Sequence, residues 1–170
     1  MLITPEYQKE QRELHESNPG YGMASVKFAP MVDDFIRQLH VPTLLDYGAG
    51  KGRLAENLTE PVRVTEYDPG IKEKAICPAG PFRFVVCIDV LEHIEPECLE
   101  DVLDDLQAKT KNHLLATVHC GPAKKVLSDG RNAHLTQQPA SWWMLKFCTR
   151  FEPDRMQVID NGFWTLLRCK

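Results

Sequence analysis

The chain has 170 residues, 43% of them hydrophobic and 26% charged, which suits one globular domain with a sizeable core. Acids outnumber bases 24 to 20 for a net charge of −4, so a surface built to grip long nucleic acid is not expected, although a local basic pocket is compatible with that balance. Met1-Leu2-Ile3-Thr4-Pro5-Glu6 lacks the basic start and apolar run of a secretory leader, and no stretch approaches the roughly 18 apolar residues of a membrane span, so a cytoplasmic protein with no membrane partner is the expectation.

Residues 1–29 are polar and read as a leading cap segment, with a short helix before the turn signal Asn18-Pro19-Gly20-Tyr21-Gly22. Pro30 is placed to open the next helix, on whose apolar face Met31, Val32, Phe35, Ile36 and Leu39 fall. A short strand is expected over Val41–Leu45, then a glycine turn and a helix to about Thr59, stopped by Pro61. Val62 to Tyr67 alternates as a second strand and ends at Asp68-Pro69-Gly70. Phe84-Val85-Val86-Cys87-Ile88 is a continuous apolar run, as in a strand covered on both faces. Leu99, Val102, Leu103 and Leu106 recur at helical spacing over 97–109, and acids crowd the start, where the helix dipole favours them. His113 to Val118 makes a further strand and Pro139 to Phe147 a helix. Arg155–Ile159 and Phe163–Arg168 make a closing hairpin turned by Asn161-Gly162. Strands alternating with helices predict a single α/β domain over 1–170, its sheet mostly parallel with an antiparallel C-terminal edge hairpin. The six cysteines, at 77, 87, 98, 120, 148 and 169, form no C-x-x-C pair, so reduced and mostly buried thiols are expected rather than a zinc or disulfide framework.

The most informative stretch is Leu44-Leu45-Asp46-Tyr47-Gly48-Ala49-Gly50-Lys51-Gly52. A strand that ends in a glycine turn and feeds a helix brings backbone N–H groups close to a ligand. The dinucleotide pattern G-x-G-x-x-G fits poorly, because the third glycine comes one residue early. A P-loop fits poorly too, because the residue five before Lys51 is Asp46 and not glycine. A tight strand-to-helix turn with no ligand is the plain alternative.

D-x-G-x-G-x-G, read from Asp46 to Gly52, resembles the first motif of class I S-adenosylmethionine-dependent methyltransferases. The resemblance implies a Rossmann-like methyltransferase fold, S-adenosyl-L-methionine as cofactor, no metal, and cofactor contacts from Asp46, Gly48, Ala49 and Gly50. Asp46 can accept a hydrogen bond from the ligand ammonium, directly or through water, and a Cβ at the glycine positions would hinder the approach of the backbone. Asp68 ends the second strand twenty residues after Gly48 and matches the acid that bonds ribose hydroxyls. Pro69 or Ile71 would then wall the adenine. Cys87-Ile88-Asp89-Val90-Leu91-Glu92-His93-Ile94 is similar to the family's fourth-strand motif. It implies that Asp89, Val90 and Leu91 line the methionine end, with His93 in the site wall or framework.

Two departures from the family pattern stand out. Phe82 is followed by Arg83 where an Asp is usual. Only twenty residues separate Asp68 from Asp89, where the family usually fits a helix, a third strand and an adenine-contacting acid. A fold shortened between the family's second and fourth strands is expected, with at most a turn of helix and a stub of strand in that interval.

Acceptor groups are expected from loops at the carboxyl ends of the strands, above all from the long polar loop 119–140. Lys124, Lys125 and Arg131 could bind an anion, or form a solvated basic loop. Ser128-Asp129-Gly130-Arg131-Asn132 also reads as a simple turn. His134 is the first candidate for general base and His119 the second, because an imidazole titrates near neutral pH; pinning the loop is the alternative role for His134. Trp142 or Trp143 could stack on a planar acceptor, with the other in the core. Tyr21, beside Gly22, could close over the cofactor or acceptor.

The resemblance thus implies methyl transfer to a small, anion-bearing or neutral acceptor: a nucleotide, modified base, sugar or metabolite. A nucleic-acid acceptor is disfavoured, because the [DNS]-P-P-[YFW] motif of base amino-methylating enzymes is replaced by Asp89-Val90-Leu91-Glu92. A catalytically inactive cofactor-binding or partner subunit with the same fold is the alternative, and a nicotinamide oxidoreductase the third reading. The sequence assigns no oligomeric state.

Overall fold

The computed structural model describes residues 1–18 and 20–170; Pro19, in the expected first turn, lies outside them. The elements in chain order are α1 (Pro5–Ser17), α2 (Ala24–Leu39), β1 (Thr43–Tyr47), α3 (Arg53–Asn57), β2 (Arg63–Tyr67), β3 (Phe82–Ile88), α4 (Leu99–Lys109), β4 (Thr110–His119), α5 (Ala140–Cys148), β5 (Phe151–Ile159) and β6 (Gly162–Cys169), with single 3-10 turns at Lys72–Lys74 and Leu91–His93. They build one six-stranded sheet in the order β2-β1-β3-β4-β6-β5. The β1–β2, β1–β3 and β3–β4 pairs are parallel, and β6 runs antiparallel to both β4 and β5. This is the mixed α/β sheet with an antiparallel edge hairpin that the sequence predicts.

Apolar residues cover both faces of the sheet, as the unbroken run in β3 requires. Val85 and Cys87 face Leu99, Val102, Leu103 and Leu106 of α4 and Trp143 and Phe147 of α5. Phe84 and Val86 face Phe28, Val32, Phe35 and Ile36 of α2. The alternation follows from the two-residue period of a strand. Helix α1 stands apart from both faces. Its Tyr7 packs instead on Leu127 and Ala133 of the 119–140 loop.

Several boundaries differ from expectation, among them that β4 starts at Thr110 and β5 at Phe151. Pro30 lies inside α2 and does not open it. An interior proline costs about 3 kcal/mol, and burying Phe28 in the preceding turn returns about 1.5–3 kcal/mol, so the helix continues upstream. Strand β1 starts at Thr43, not Val41. Helix α3 ends at Asn57. Between β2 and β3 there is only the turn at Lys72–Lys74 and no strand, within the expected limit of one helical turn and a stub of strand; Pro78 and Pro81 remove the donors that a strand there would need. Strand β2 is therefore a sheet edge. All six cysteines are free thiols, but only Cys87 and Cys98 are buried, since the others sit at element ends and in loops.

Candidate active site

The carboxyl ends of β1, β2, β3 and β4 border one cavity of ≈ 250 Å³. Asp46, Tyr47, Gly48, Ala49 and Gly50 form its floor at the end of β1. Tyr67, Asp68, Pro69 and Gly70 follow β2, and Asp89 and Val90 follow β3. His119 ends β4, and His134 comes from the loop beyond it. Helix α1 and the residues before it close the cavity with Leu2, Ile3, Tyr7, Gln11 and His15.

The glycine turn is shaped by close contacts. Gly48 has φ +82°, and a Cβ on it would lie 2.3 Å from Val90 Cγ2. Gly50 has φ +50°, and a Cβ there would meet the His15 ring at 3.4 Å. The turn's N–H groups are consumed internally: Gly48 N and Ala49 N donate to the Tyr67 carbonyl at 2.8 and 3.0 Å, and Gly50 N to Asp68 Oδ2 at 2.7 Å. Such a turn is not a phosphate cradle, which agrees with the poor fit to both nucleotide-binding patterns. Asp68 Oδ1 also accepts from Gly70 N at 2.8 Å, so this acid holds the turn as well as facing the cavity.

Charge on the wall is one-sided. Asp46, Asp68 and Asp89 line it, and among the described residues no lysine or arginine does. Asp46 is buried, and its Oδ2 has no hydrogen-bond partner. Burial, with Glu66 and Asp68 adding repulsion, pushes its carboxyl up to about 7. Tyr7 Oη, Gln11 Nε2 and His15 Nδ1 are three further buried, unpaired polar atoms on the same wall. Buried polar groups are normally bonded, so four orphans around one cavity mark a site for a polar ligand.

Rings line the far side. His15 and Tyr21 lie 4.8 Å apart, Tyr21 and His93 6.4 Å, His93 and His134 4.7 Å, and His134 and His119 4.8 Å between centroids. Tyr21 Oη donates to Gln11 Oε1 at 2.9 Å, and burial pushes this phenol up to about 12. His93 Nδ1 lies 2.8 Å from the Ala133 carbonyl and His134 Nδ1 2.7 Å from the Gly121 carbonyl. Each such bond fixes Nδ1 as the protonated nitrogen and leaves Nε2 as the basic atom. Burial holds His93 down to about 4, reinforced by His134, and burial lowers His134 as well. Glu92, fully buried behind them, accepts from His119 N at 2.8 Å through Oε1, while its Oε2 is unpaired; burial, with Asp89 adding repulsion, pushes it up to about 8.

Several sequence candidates lie elsewhere. Leu91 is fully buried in the core under α4, because the 3-10 turn directs it inward, and it does not reach the cavity. Ile71, Trp142 and Trp143 also lie off the wall, and Trp143 is wholly in the core. Lys124 is exposed, and Lys125 sits 5.0 Å from the Tyr21 ring on the rim. Arg131 bonds Asp129 at the turn and lies 3.9 Å from Glu10 of α1. None of the three cations lines the cavity, because the loop folds back through a Val126–Asn132 bridge and docks on α1. The α1 wall was missed by reading the sequence. Its signal is Tyr7, Gln11 and His15 at steps of four, which puts them on one helical face.

Among known proteins, a family model described as Methyltransferase domain matches residues 22–161. No curated protein matches significantly in sequence. The fold is similar to that of Burkholderia thailandensis 1,6-didemethyltoxoflavin-N1-methyltransferase, crystallised with 1,6-didemethyltoxoflavin and S-adenosylhomocysteine: TM-score 0.71 at 18% identity, covering 100% of this chain and 92% of that one. It is also similar to mitomycin 7-O-methyltransferase MmcR, at TM-score 0.69 and 13% identity over 94% of this chain and 60% of that one. A third likeness is magnesium protoporphyrin IX methyltransferase of Synechocystis PCC 6803 with bound S-adenosylhomocysteine, at TM-score 0.59 and 16% identity over 84% of this chain and 81% of that one. With the family model spanning most of its length, the glycine turn at the end of β1 and the acid at the end of β2, this chain belongs to the methyltransferase-domain family, of the class I, S-adenosylmethionine-dependent type.

Proposed function

We propose that this protein transfers the methyl group of S-adenosylmethionine to a small acceptor held against the histidines. The observation that carries this reading is the set of charged side chains on the cavity wall: three aspartates and, among the described residues, no lysine or arginine. That wall suits a ligand bearing an ammonium and a sulfonium, and opposes a pyrophosphate or an anionic acceptor. The orphaned Asp46 oxygen fits the ammonium, and Asp68, on the wall at the end of β2, fits the ribose hydroxyls. Leu2, Ile3, Tyr47, Tyr67, Pro69 and Val102 form the apolar wall that would take adenine. The cofactor supplies a methyl group already activated on sulfur.

What remains for the chain is alignment, exclusion of water and removal of a proton. Helix α1 walls one side of the cavity with Tyr7, Gln11 and His15 and limits the entry of water. His134 Nε2 is the proton acceptor, with His119 next to it at 4.8 Å to take the charge onward. A small acceptor suits a cavity of ≈ 250 Å³, and two methyltransferases of similar fold are named for small molecules, 1,6-didemethyltoxoflavin and mitomycin.

Calorimetric titration with S-adenosylhomocysteine tests the cofactor, alongside Asp68→Ala. Binding by the wild type and weakening of at least about tenfold in the variant are expected, from the loss of charge-assisted hydrogen bonds. A folded protein that binds no cofactor would sink the enzyme reading, and equal affinity in Asp68→Ala would sink the ribose assignment.

A further inference from the structure

We propose that Glu92, His93 and His134 form a binding site for one divalent transition-metal ion at the acceptor end of the cavity, where the ion holds an oxygen donor of the acceptor. One carboxylate oxygen and two imidazole nitrogens of these residues lie within 4.8 Å of one another. Three protein ligands with open positions toward a cavity are the donor set of catalytic rather than structural zinc, and the same set serves other divalent ions of that row.

The surroundings are those of a ligand set. His93 and His134 each turn Nδ1 to a backbone carbonyl, at 2.8 and 2.7 Å, which leaves both Nε2 lone pairs free. Such outer hydrogen bonds orient metal-binding histidines. Glu92 uses only Oε1, on His119 N, and its Oε2 is buried without a partner. An unpaired carboxylate oxygen in the interior costs free energy that a cation would recover. Metal bonds of about 2.0–2.2 Å require donor atoms somewhat closer than they stand here, a closure of about an ångström. The loop bearing His134 is tied to the Glu92 turn by Thr136 N to the Glu92 carbonyl at 3.0 Å and Thr136 Oγ1 to the Ile94 carbonyl at 3.2 Å. The two segments are thus held together, and the closure is left to rotation of the three side chains.

An ion in this place changes one assignment. His134 becomes a ligand, and an acceptor hydroxyl held on the ion gives its proton to His119, the cavity imidazole outside the set that lies 4.8 Å from His134. Only the acceptor's role rests on the methyl-transfer reading; binding of the ion does not.

The test uses the full chain, dialysed against a chelator and titrated with Zn²⁺ by calorimetry and with Co²⁺ by visible absorption. One ion per chain is expected. Glu92→Gln keeps the side-chain volume and the acceptor for His119 N, so the fold is retained. Glu92→Gln and His134→Ala are each expected to weaken ion binding at least 10- to 100-fold, roughly the loss that even a supporting residue causes. No saturable ion binding by the folded protein, or binding unchanged in both variants, overturns the site. S-adenosylhomocysteine titrated into the same chelated sample separates the two readings. Its binding without any ion binding overturns the metal site alone; ion binding without it supports the metal site and overturns methyl transfer.

Discussion

Replacing Asp46 by Asn should make the ligand-free protein more stable and a poorer cofactor binder. The Asp46 carboxyl is buried at the end of β1 with one oxygen unpaired, and burial pushes it up to about 7 from 3.8. In the ligand-free protein its stabilising contribution is fully present below pH 3.8 and is lost as pH rises through about 7, because only the folded state resists ionisation. The difference of about three pH units is worth on the order of 4 kcal/mol once the group is charged. Asp46→Asn removes that cost, so its melting temperature should match the wild type at acid pH and exceed it increasingly up to about pH 7. A ligand ammonium reverses the balance, since it pairs the charge that burial penalises. Wild-type affinity for S-adenosylhomocysteine should therefore rise about tenfold from pH 6 to pH 8 and level off above pH 7, with a proton released on binding at the lower end. Asp46→Asn should bind about 10- to 100-fold more weakly at pH 8, the worth of a charged hydrogen bond, and lose that pH dependence. Thermal melts and calorimetry in buffers of different ionisation enthalpy measure both. Equal affinity at pH 8, or no gain in stability, would refute the argument.

Gly48→Ala should cost about 1–3 kcal/mol of stability, because it forces a side chain into a left-handed turn and against the stiff Val90 side chain, 2.3 Å from the new Cβ. Denaturant melts should show partial recovery in the Gly48→Ala/Val90→Ala double variant, and no interaction between the two changes would exclude the contact as the cause. Glu95→Ala should release the start of α1, since Glu95 accepts from Thr4 N at 2.9 Å and Thr4 Oγ1 at 2.7 Å. Amide exchange over residues 4–17 should quicken by at least about tenfold for two lost hydrogen bonds, and S-adenosylhomocysteine binding should weaken; unchanged exchange would show that Tyr7 packing alone holds the helix.

The glycine turn, both flanking strands and the acid after β2 were legible because each is a local pattern. Asp46 to Gly52 carries its backbone demands in consecutive residues, and β3 declares its double burial through an unbroken apolar run. The cations of the 119–140 loop misled for the opposite reason. Their charge is visible in sequence, but whether they face a cavity, solvent or Asp129 depends on how the loop folds back. Pro30 misled because local propensity yields to the burial of Phe28, a contact between α2 and the sheet.

The sequence by itself thus determined the order of elements, the α/β class, the cofactor-type turn and the lost strand between β2 and β3, all set by period, spacing and chain length. Only the tertiary structure decided what covers the cavity and what meets inside it. Tyr7, Gln11 and His15 come from α1, while His93, His119 and His134 come from three separate segments. Their encounter depends on α1 packing on Leu127 and Ala133 and on the 119–140 loop docking at Glu92. Those contacts join residues far apart in the chain, and no local pattern encodes them.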